Sequence, residues 1–298
     1  MQPIPRFEWQ TFGMLAFCYG WMALSVTLLP QYSYPVSFLA LALGMALHSS
    51  LQHEALHGHP TRNPVLNEAF VFLPVGLFVP YRRFRDTHLA HHNDESLTDP
   101  YDDPETNFLD PKIWAGLSTP VKILRRINNA LLGRILLGPA ISTHAMIKSD
   151  LHAIRRGEAG VLRGWLLHFA GFAPLFWLLA TFSNLPFWIY VLAAYFAYGL
   201  LKIRTYLEHR AHESATGRSV VIEDRGLLSL LFLNNNFHIV HHKNPGAPWY
   251  RLPGLYVKSR AQYLEMNDGY RYRNYAEIFR RYFFRAKDPV PHPLWKAD

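Results

Sequence analysis

The stretch VSFLALALGMALHSSLQHEALHGHP, residues 36–60, decides the fold of this chain. Residues 36–52 contain no Asp, Glu, Lys or Arg, and their number approaches the roughly 20 residues that a helix needs to cross a bilayer. The apolar run leads directly into His53 and His57, whose i, i+4 spacing places both imidazoles on one face of a helix. The sequence therefore predicts a membrane-spanning helix that ends in two candidate metal ligands.

Three further stretches, at residues 11–29, 164–182 and 185–201, are apolar over similar lengths. Together with residues 36–52 they predict four transmembrane helices in an all-α integral membrane protein. No internal repeat or low-complexity segment interrupts the chain, so the sequence predicts a single membrane domain over residues 1–298.

Two other segments differ from these spans in length or composition. Residues 69–81 are apolar, but the segment is short for a span and contains Pro74 and Pro80. This pattern predicts a re-entrant or interfacial segment. Residues 243–298 are rich in charge, tyrosine and proline, and we predict that they form a cytoplasmic tail.

The distribution of the 30 lysines and arginines is strongly one-sided, because none falls in the turns at residues 30–35 and 183–184. Short cytoplasmic loops collect these residues, so the sequence predicts cytoplasmic termini and a cytoplasmic position for the histidine groups. The same bias, with attraction to anionic lipid, explains the net charge of +8 without a nucleic-acid partner. The single cysteine, Cys18, permits neither an intrachain disulfide nor a cysteine-ligated cluster.

Eleven of the sixteen histidines fall into four groups with helical ligand spacing. An even number of crossings between the groups returns the chain to one side of the membrane, where all four can meet in a helical cap. The groups are His53, His57 and His59; His88, His91 and His92; His209 and His212; and His238, His241 and His242.

Nine of these histidines are predicted metal ligands. His59 and His212 are only possible further ligands, because His59 leaves the helix face of its group and His212 lies one turn beyond His209. Nine imidazoles exceed the four ligands of a structural zinc site, so two metal ions are predicted. The chemistry of imidazole leaves iron, zinc and copper open. No catalytic residue separate from the metal ligands is predicted.

Acidic residues beside the groups are candidates to orient the imidazoles, because a ligating histidine usually donates its second ring N–H to a carboxylate or carbonyl. Asn234, Asn235 and Asn236 are predicted to cap the helix of the last histidine group, or else to bond to a ligand. The acidic candidates are Glu54, Asp86, Asp94 and Glu208, with Asp99, Asp102, Asp103 and Glu213 as further members.

The motifs HEALHGH at 53–59, HLAHH at 88–92 and HIVHH at 238–242 resemble the three histidine boxes of the membrane fatty acid desaturases and related hydroxylases. The resemblance implies a four-helix membrane stem under a cytoplasmic helical cap that holds two iron ions. His209 resembles the additional histidine that the family places after its last span. Thr205 stands where animal-type acyl-CoA desaturases carry an asparagine.

The resemblance also implies a reaction, namely O2-dependent desaturation of a lipid or lipid-like acyl chain by a diiron site. The alternatives are a hydroxylase or ketolase of the same family, a desaturase of a small polar metabolite and, in another class, a non-redox zinc membrane protein. The stretch around the third box resembles bacterial desaturase-like proteins, which implies a bacterial inner membrane. Electrons are expected from an external donor, a ferredoxin or similar reductase, that docks on a basic surface. Two candidate surfaces are Arg82, Arg83 and Arg85, and Arg280, Arg281 and Arg285.

Overall fold

The computed structural model describes residues 7–93 and 95–295, and this part of the chain is mainly helical. Two short strands, β1 (Val221–Ile222) and β2 (Arg271–Tyr272), pair in parallel. In chain order, the helices are α1 (Trp9–Thr27), α2 (Tyr34–Leu56), α3 (Pro64–Val71), α4 (Tyr81–His91), α5 (Pro111–Gly116), α6 (Thr119–Asn128), α7 (Leu131–Arg155), α8 (Ala159–Phe182), α9 (Phe187–Thr205), α10 (Leu227–Leu231), α11 (His238–Lys243), α12 (Leu252–Lys258), α13 (Arg260–Met266) and α14 (Tyr275–Tyr282).

Four helices of the described residues are long and apolar enough to cross a membrane, and they confirm the predicted all-α membrane fold. They are α1 with the turn that follows it (Trp9–Gln31), α2, α8 and α9. The helix α2 begins two residues before the predicted span, because the Ser33 hydroxyl accepts a hydrogen bond from the Val36 N–H and Pro35 occupies the first turn. It ends at Leu56, so its last turn contains His53.

Residues 69–81 form no membrane-length helix, since α3 ends at Val71 and irregular backbone follows until α4 begins. Side chains from α8 and α9 satisfy carbonyl groups of this irregular stretch. Tyr190 donates to the Val75 carbonyl over 2.9 Å, and the His168 Nε2 lies 2.8 Å from the Leu77 carbonyl. Such protein partners are what irregular backbone requires at membrane depth.

The chain divides into two compact units. The first unit contains the chain up to Asp86 and residues Pro139–Leu200, and the second contains Thr87–Gly138 and the chain from Leu201 onward. Within the first unit, α1 and α2 approach closely at Gly44, where an added Cβ would lie 2.6 Å from the Met22 side chain. A larger residue at position 44 would therefore force the Met22 side chain to move.

The second unit contains a core that joins the third histidine box to the C-terminal part of the chain. Val221, Phe237 and Val240 are buried in one cluster with Leu252 and Tyr256. The last two residues belong to α12, inside the segment predicted to be a tail. This part of the predicted tail therefore packs against the third box.

The helix α6 has one basic face and one apolar face. Its apolar side chains remain exposed in the second unit, although burial would stabilise each of them by roughly 1.5–3 kcal/mol. This pattern is typical of a helix that lies in a membrane interface. The exposed apolar residues are Val121, Ile123, Leu124 and Ile127, and the basic ones are Lys122, Arg125 and Arg126.

Candidate metal centre

A first cluster of imidazoles in the second unit joins the second and third histidine boxes. The ligand atoms of His88, His92 and His241 lie within 4.8 Å of one another. The Nε2 atom of His92 is 3.0 Å from that of His88 and 3.1 Å from that of His241. His88 and His241 are buried, so the cluster is largely removed from solvent.

A second cluster contains His91, His209, His238 and His242, whose ligand atoms also lie within 4.8 Å of one another. The Nε2 atom of His209 is 2.8 Å from that of His91 and 3.0 Å from that of His238. The i, i+3, i+4 spacing of each box therefore divides its members between two neighbouring points.

His209 reaches the second cluster from an extended segment that follows α9. The helix α9 ends at Thr205, and a β-bridge pairs His209 with Ser219. The Ser219 hydroxyl lies 3.3 Å from the His209 Nδ1, and the Lys287 ammonium donates to the His209 carbonyl. These contacts fix both the backbone and the ring.

The third box is positioned by a tight turn before α11. Leu233 and Asn234 adopt positive φ values of 49° and 58°, which reverse the chain direction into the helix. The prediction that the asparagines cap this helix is wrong, because the capping residue is Phe237 and makes no side-chain cap hydrogen bond. Their amides donate elsewhere: Asn234 to the Trp249 carbonyl, Asn235 to Glu208, and Asn236 to the Ile222 carbonyl.

Carboxylates hold the second-box histidines by the nitrogen that faces away from the clusters. Asp103 Oδ1 lies 2.7 Å from the His91 Nδ1, and Asp103 Oδ2 accepts the Thr98 N–H over 2.8 Å. Glu105 Oε1 lies 3.0 Å from the His88 Nδ1. Both contacts match the carboxylate–histidine–metal arrangement that orients ligands in metalloproteins. Asp103 was one of several predicted acids, whereas Glu105 was not predicted.

The predicted acid Glu208 lies behind the third box. It is buried, and its Oε1 is 3.7 Å from the His238 Nδ1 and 3.0 Å from the Arg204 Nε. The Asn235 amide bridges the two groups, since its Nδ2 donates to Glu208 over 3.2 Å and its Oδ1 is 3.4 Å from the His238 Nδ1. Asn235 is therefore the asparagine that contacts a predicted ligand histidine, which was the second of the two predicted roles.

The surroundings of the second cluster favour the neutral form of His209 and His238 and the protonated form of His91. Burial, with the charges of neighbouring histidines, lowers the pKa of His209 and that of His238 well below the ordinary value. Burial also acts to lower the pKa of His91, but the charges of Glu105 and Asp103 outweigh it and raise the pKa to about 9. Metal ligation requires neutral imidazoles, and a bound metal ion would supply the positive charge that these carboxylates stabilise.

The first box lies in the first unit. His53 is buried in the last turn of α2, and His57 directly follows the helix. Their ring centroids are 4.8 Å apart, as the i, i+4 spacing predicts. The predicted acid Glu54 is buried beside them, with its Oε1 3.8 Å from the His53 Nδ1.

The two possible further ligands have other partners. The buried His59 places its Nδ1 2.6 Å from Glu8 Oε1. His212 accepts the Ser214 N–H at its Nδ1 and lies 3.4 Å from Asp268 Oδ2 at its Nε2. Among the described residues, neither histidine belongs to a cluster with metal-ligand spacing.

Two of the four principal acidic candidates remain. The partly exposed Asp86 accepts hydrogen bonds from the Arg85 guanidinium over 2.8 and 2.9 Å, so its carboxylate forms an ion pair with an arginine. Asp94 lies outside the described residues.

The clusters and the four spans agree with two comparisons with known proteins. A family model described as fatty acid desaturase matches residues 30–274, which include all the histidines of both clusters. The chain is also similar to a beta-carotene ketolase from Paracoccus sp. (strain N81106 / MBIC 01143), with 26% identity over 258 residues that cover 80% of this chain and 88% of the ketolase. The chain therefore belongs to the fatty acid desaturase family and is an oxidoreductase.

Proposed function

We propose that this protein is an O2-dependent diiron oxidoreductase that oxidises a C–H bond of a lipid-like substrate. The observation that carries the proposal is the pair of neighbouring imidazole clusters, whose Nε2 atoms converge while carboxylates hold Nδ1 atoms on the other side. A bound pair of iron ions supplies the redox chemistry that activates O2. The chain's own residues hold the ions, orient the imidazoles and exclude bulk water.

The spacing of the nitrogen atoms allows those of each cluster to bind one ion. Nitrogens at right angles, each about 2.1 Å from one ion, would lie about 3.0 Å apart, whereas tetrahedral ligands would lie about 3.4 Å apart. Four Nε2 pairs within the clusters are separated by 2.8, 3.0, 3.0 and 3.1 Å. These separations lie close to the right-angle value, so both atoms of each pair can reach one ion. The non-redox zinc alternative is not favoured, because structural zinc sites usually include cysteine ligands and Cys18 is the single cysteine of the chain.

His53 and His57 complete the proposed set of nine ligands. They are assigned on the pattern of the first histidine box and on their own arrangement, with both rings on one side of the α2 terminus. Together with the seven histidines of the two clusters they provide four or five imidazoles for each ion.

Desaturation of an acyl chain is the first candidate reaction, because the matching family model is that of fatty acid desaturases. Ketolation or hydroxylation is a second candidate, favoured by the similarity to a ketolase over 80% of this chain. The reactions share one oxidising centre and differ in the fate of the substrate after hydrogen removal. Product analysis therefore distinguishes them.

The product test uses membranes that contain this protein, supplied with O2, reduced ferredoxin, acyl lipids and β-carotene. Loss of two hydrogens from an acyl chain is the expected result for desaturation. Gain of one oxygen with loss of two hydrogens would instead assign a ketolase, and gain of one oxygen alone a hydroxylase. Membranes with the His241→Ala variant are the control for oxidation by the host. Unchanged substrates with wild-type protein would contradict the proposed function.

Metal analysis of the purified full-length protein tests the cofactor separately from activity. About two iron ions per chain are expected, because each imidazole cluster provides a separate binding point. A content of two zinc ions with no iron would contradict the diiron proposal, whatever the product analysis shows.

We also propose the sidedness and the source of electrons. The absence of lysine and arginine from the turns at 30–35 and 183–184 supports cytoplasmic termini and a cytoplasmic metal centre in a bacterial inner membrane. The single cysteine of the chain, Cys18, cannot ligate an iron–sulfur cluster of its own. A separate donor, a ferredoxin or similar reductase, is therefore proposed to supply the electrons.

A further inference from the structure

A groove lined by four arginines lies on the second unit, and we call it the arginine groove. Arg271 and Arg273 contribute from β2 and the residue after it, and Arg280 and Arg281 from α14. All four side chains are exposed, and the groove has a volume of about 470 Å³. Glu277 is the acidic residue of its lining and pairs with Arg281 over 2.6 Å. Glu223, from outside the lining, pairs with Arg271 over 2.6 Å. Four cations against two carboxylates leave the groove with a net positive charge.

A layer of tyrosines lies directly behind the arginine groove. Tyr272 is buried between the two arginines of the β2 segment, and the Arg281 guanidinium lies 5.8 Å from the centre of its ring. The next ring inward is that of Tyr270, whose centroid is 6.0 Å from that of Tyr272. Two packed aromatic rings therefore lead from the floor of the groove into the protein.

The inner tyrosine connects this layer to the segment that carries His209. The Tyr270 hydroxyl donates to the Leu207 carbonyl over 2.7 Å. The Lys287 ammonium contacts both the Tyr270 hydroxyl, at 3.3 Å, and the His209 carbonyl. Packed and hydrogen-bonded groups thus link the floor of the groove to a histidine of the second cluster.

We propose that the arginine groove is the docking surface for a small acidic electron-transfer protein. The inference rests on the proposed function, since only a centre with an external electron supply needs such a surface. Electron tunnelling weakens steeply with distance, so a donor should dock where few groups separate it from the metal ligands. A positive surface also steers an acidic partner and accelerates its association.

The electron balance sets what the donor must deliver. Two electrons and two protons, with one O2, convert a C–H bond to C–OH with release of one water. The same inputs convert two neighbouring C–H bonds to a double bond with release of two waters. A one-electron carrier is oxidised once at each encounter, so it must bind and leave twice in each cycle. A steered, exposed surface suits such transient binding.

Anionic lipid headgroups are the competing occupants of the groove. The exposed apolar face expected of a membrane-surface helix is found on α6, where basic residues flank it. The arginine groove is instead backed by the tyrosine layer that leads to His209. This arrangement favours a protein donor, and the lipid dependence of the experiment tests the choice.

The experiment compares wild-type protein with the double variant Arg280→Glu, Arg281→Glu in nanodiscs of phosphatidylcholine alone. The measured quantity is the second-order rate of electron transfer from a reduced bacterial [2Fe–2S] ferredoxin at low salt. We expect the rate to fall at least about tenfold, because reversed charges remove the steering. The matched control is Arg155→Glu, which reverses an exposed arginine at the end of α7.

Three results would overturn the docking proposal. These are an unchanged ferredoxin rate in the double variant, an equal loss in Arg155→Glu, and a loss that occurs only when the nanodiscs contain phosphatidylglycerol. Metal content and reduction by dithionite should remain at wild-type levels in the double variant, which shows that the centre itself is intact. If wild-type protein binds no iron and gives no product even with dithionite, the proposed function fails instead. The two failures are therefore distinguishable.

Discussion

The His241→Ala variant is expected to lose turnover and to bind metal much more weakly than wild-type protein. His241 is buried, and its Nε2 lies 3.1 Å from that of His92 at the centre of the first cluster. Loss of a group that only orients a ligand costs about 10–100-fold in metal affinity, so loss of a ligand should cost more than about 100-fold. Chelator competition measures the affinity, and product formation measures turnover.

The matched control for this variant is His144→Ala, which removes an exposed histidine of α7 outside the four groups. It should retain wild-type metal content and activity. Turnover by the His241→Ala variant at the wild-type rate would refute the assignment of His241 as a ligand. A folded variant is recognised by unchanged helical circular dichroism, so loss of metal can be separated from loss of structure.

The Asp103→Asn variant is expected to weaken metal binding about 10–100-fold while leaving all nine proposed ligands in place. Asp103 is buried and accepts hydrogen bonds at both oxygens: Oδ1 faces His91 at 2.7 Å, and Oδ2 faces the Thr98 N–H at 2.8 Å. An asparagine would turn an N–H group towards one of these donors. It would also remove the negative charge that favours a cation at His91.

The neighbouring residue provides the control, because Asp102 has the same charge but is exposed. The Asp102→Asn variant should bind iron with wild-type affinity. Equal affinities for wild-type protein and Asp103→Asn would contradict the role given to Asp103. A loss of the same size in both variants would indicate a general charge effect and would also contradict it.

Local periodicity made the fold and the histidine pattern predictable from sequence. The lengths of the apolar stretches predicted the four spans. The helix α2 extends beyond its predicted apolar stretch by only two residues at its start and four at its end. The i, i+3, i+4 spacing predicted which imidazoles share a helix face, and the structure brings seven of the nine proposed ligands into two clusters. The complete ligand set stays a prediction, since His53 and His57 are assigned by the pattern of their box.

The groups that hold the ligands could not be predicted in this way, because they come from loops whose shape depends on tertiary contacts. Thr98, beside the carboxylates of the second box, has a positive φ of 69°. Local preference disfavours this conformation for a β-branched residue, so surrounding contacts must stabilise it. Ser219 and Lys287 contact His209 from segments that lie ten and seventy-eight residues away along the chain. No local spacing indicates such partners.

The purely nitrogenous character of the two clusters has a consequence for how the protein acquires its metal. Divalent ions bind such ligands with affinities that rise from iron to copper, and this order holds for almost any geometry. Because carboxylates already anchor His88 and His91, the rings should have little freedom to reject the wrong ion by rearranging. The selection of iron over copper must then depend on which ions are available during biosynthesis. Cells grown with excess copper would accumulate a stable, mismetallated and inactive form of this enzyme.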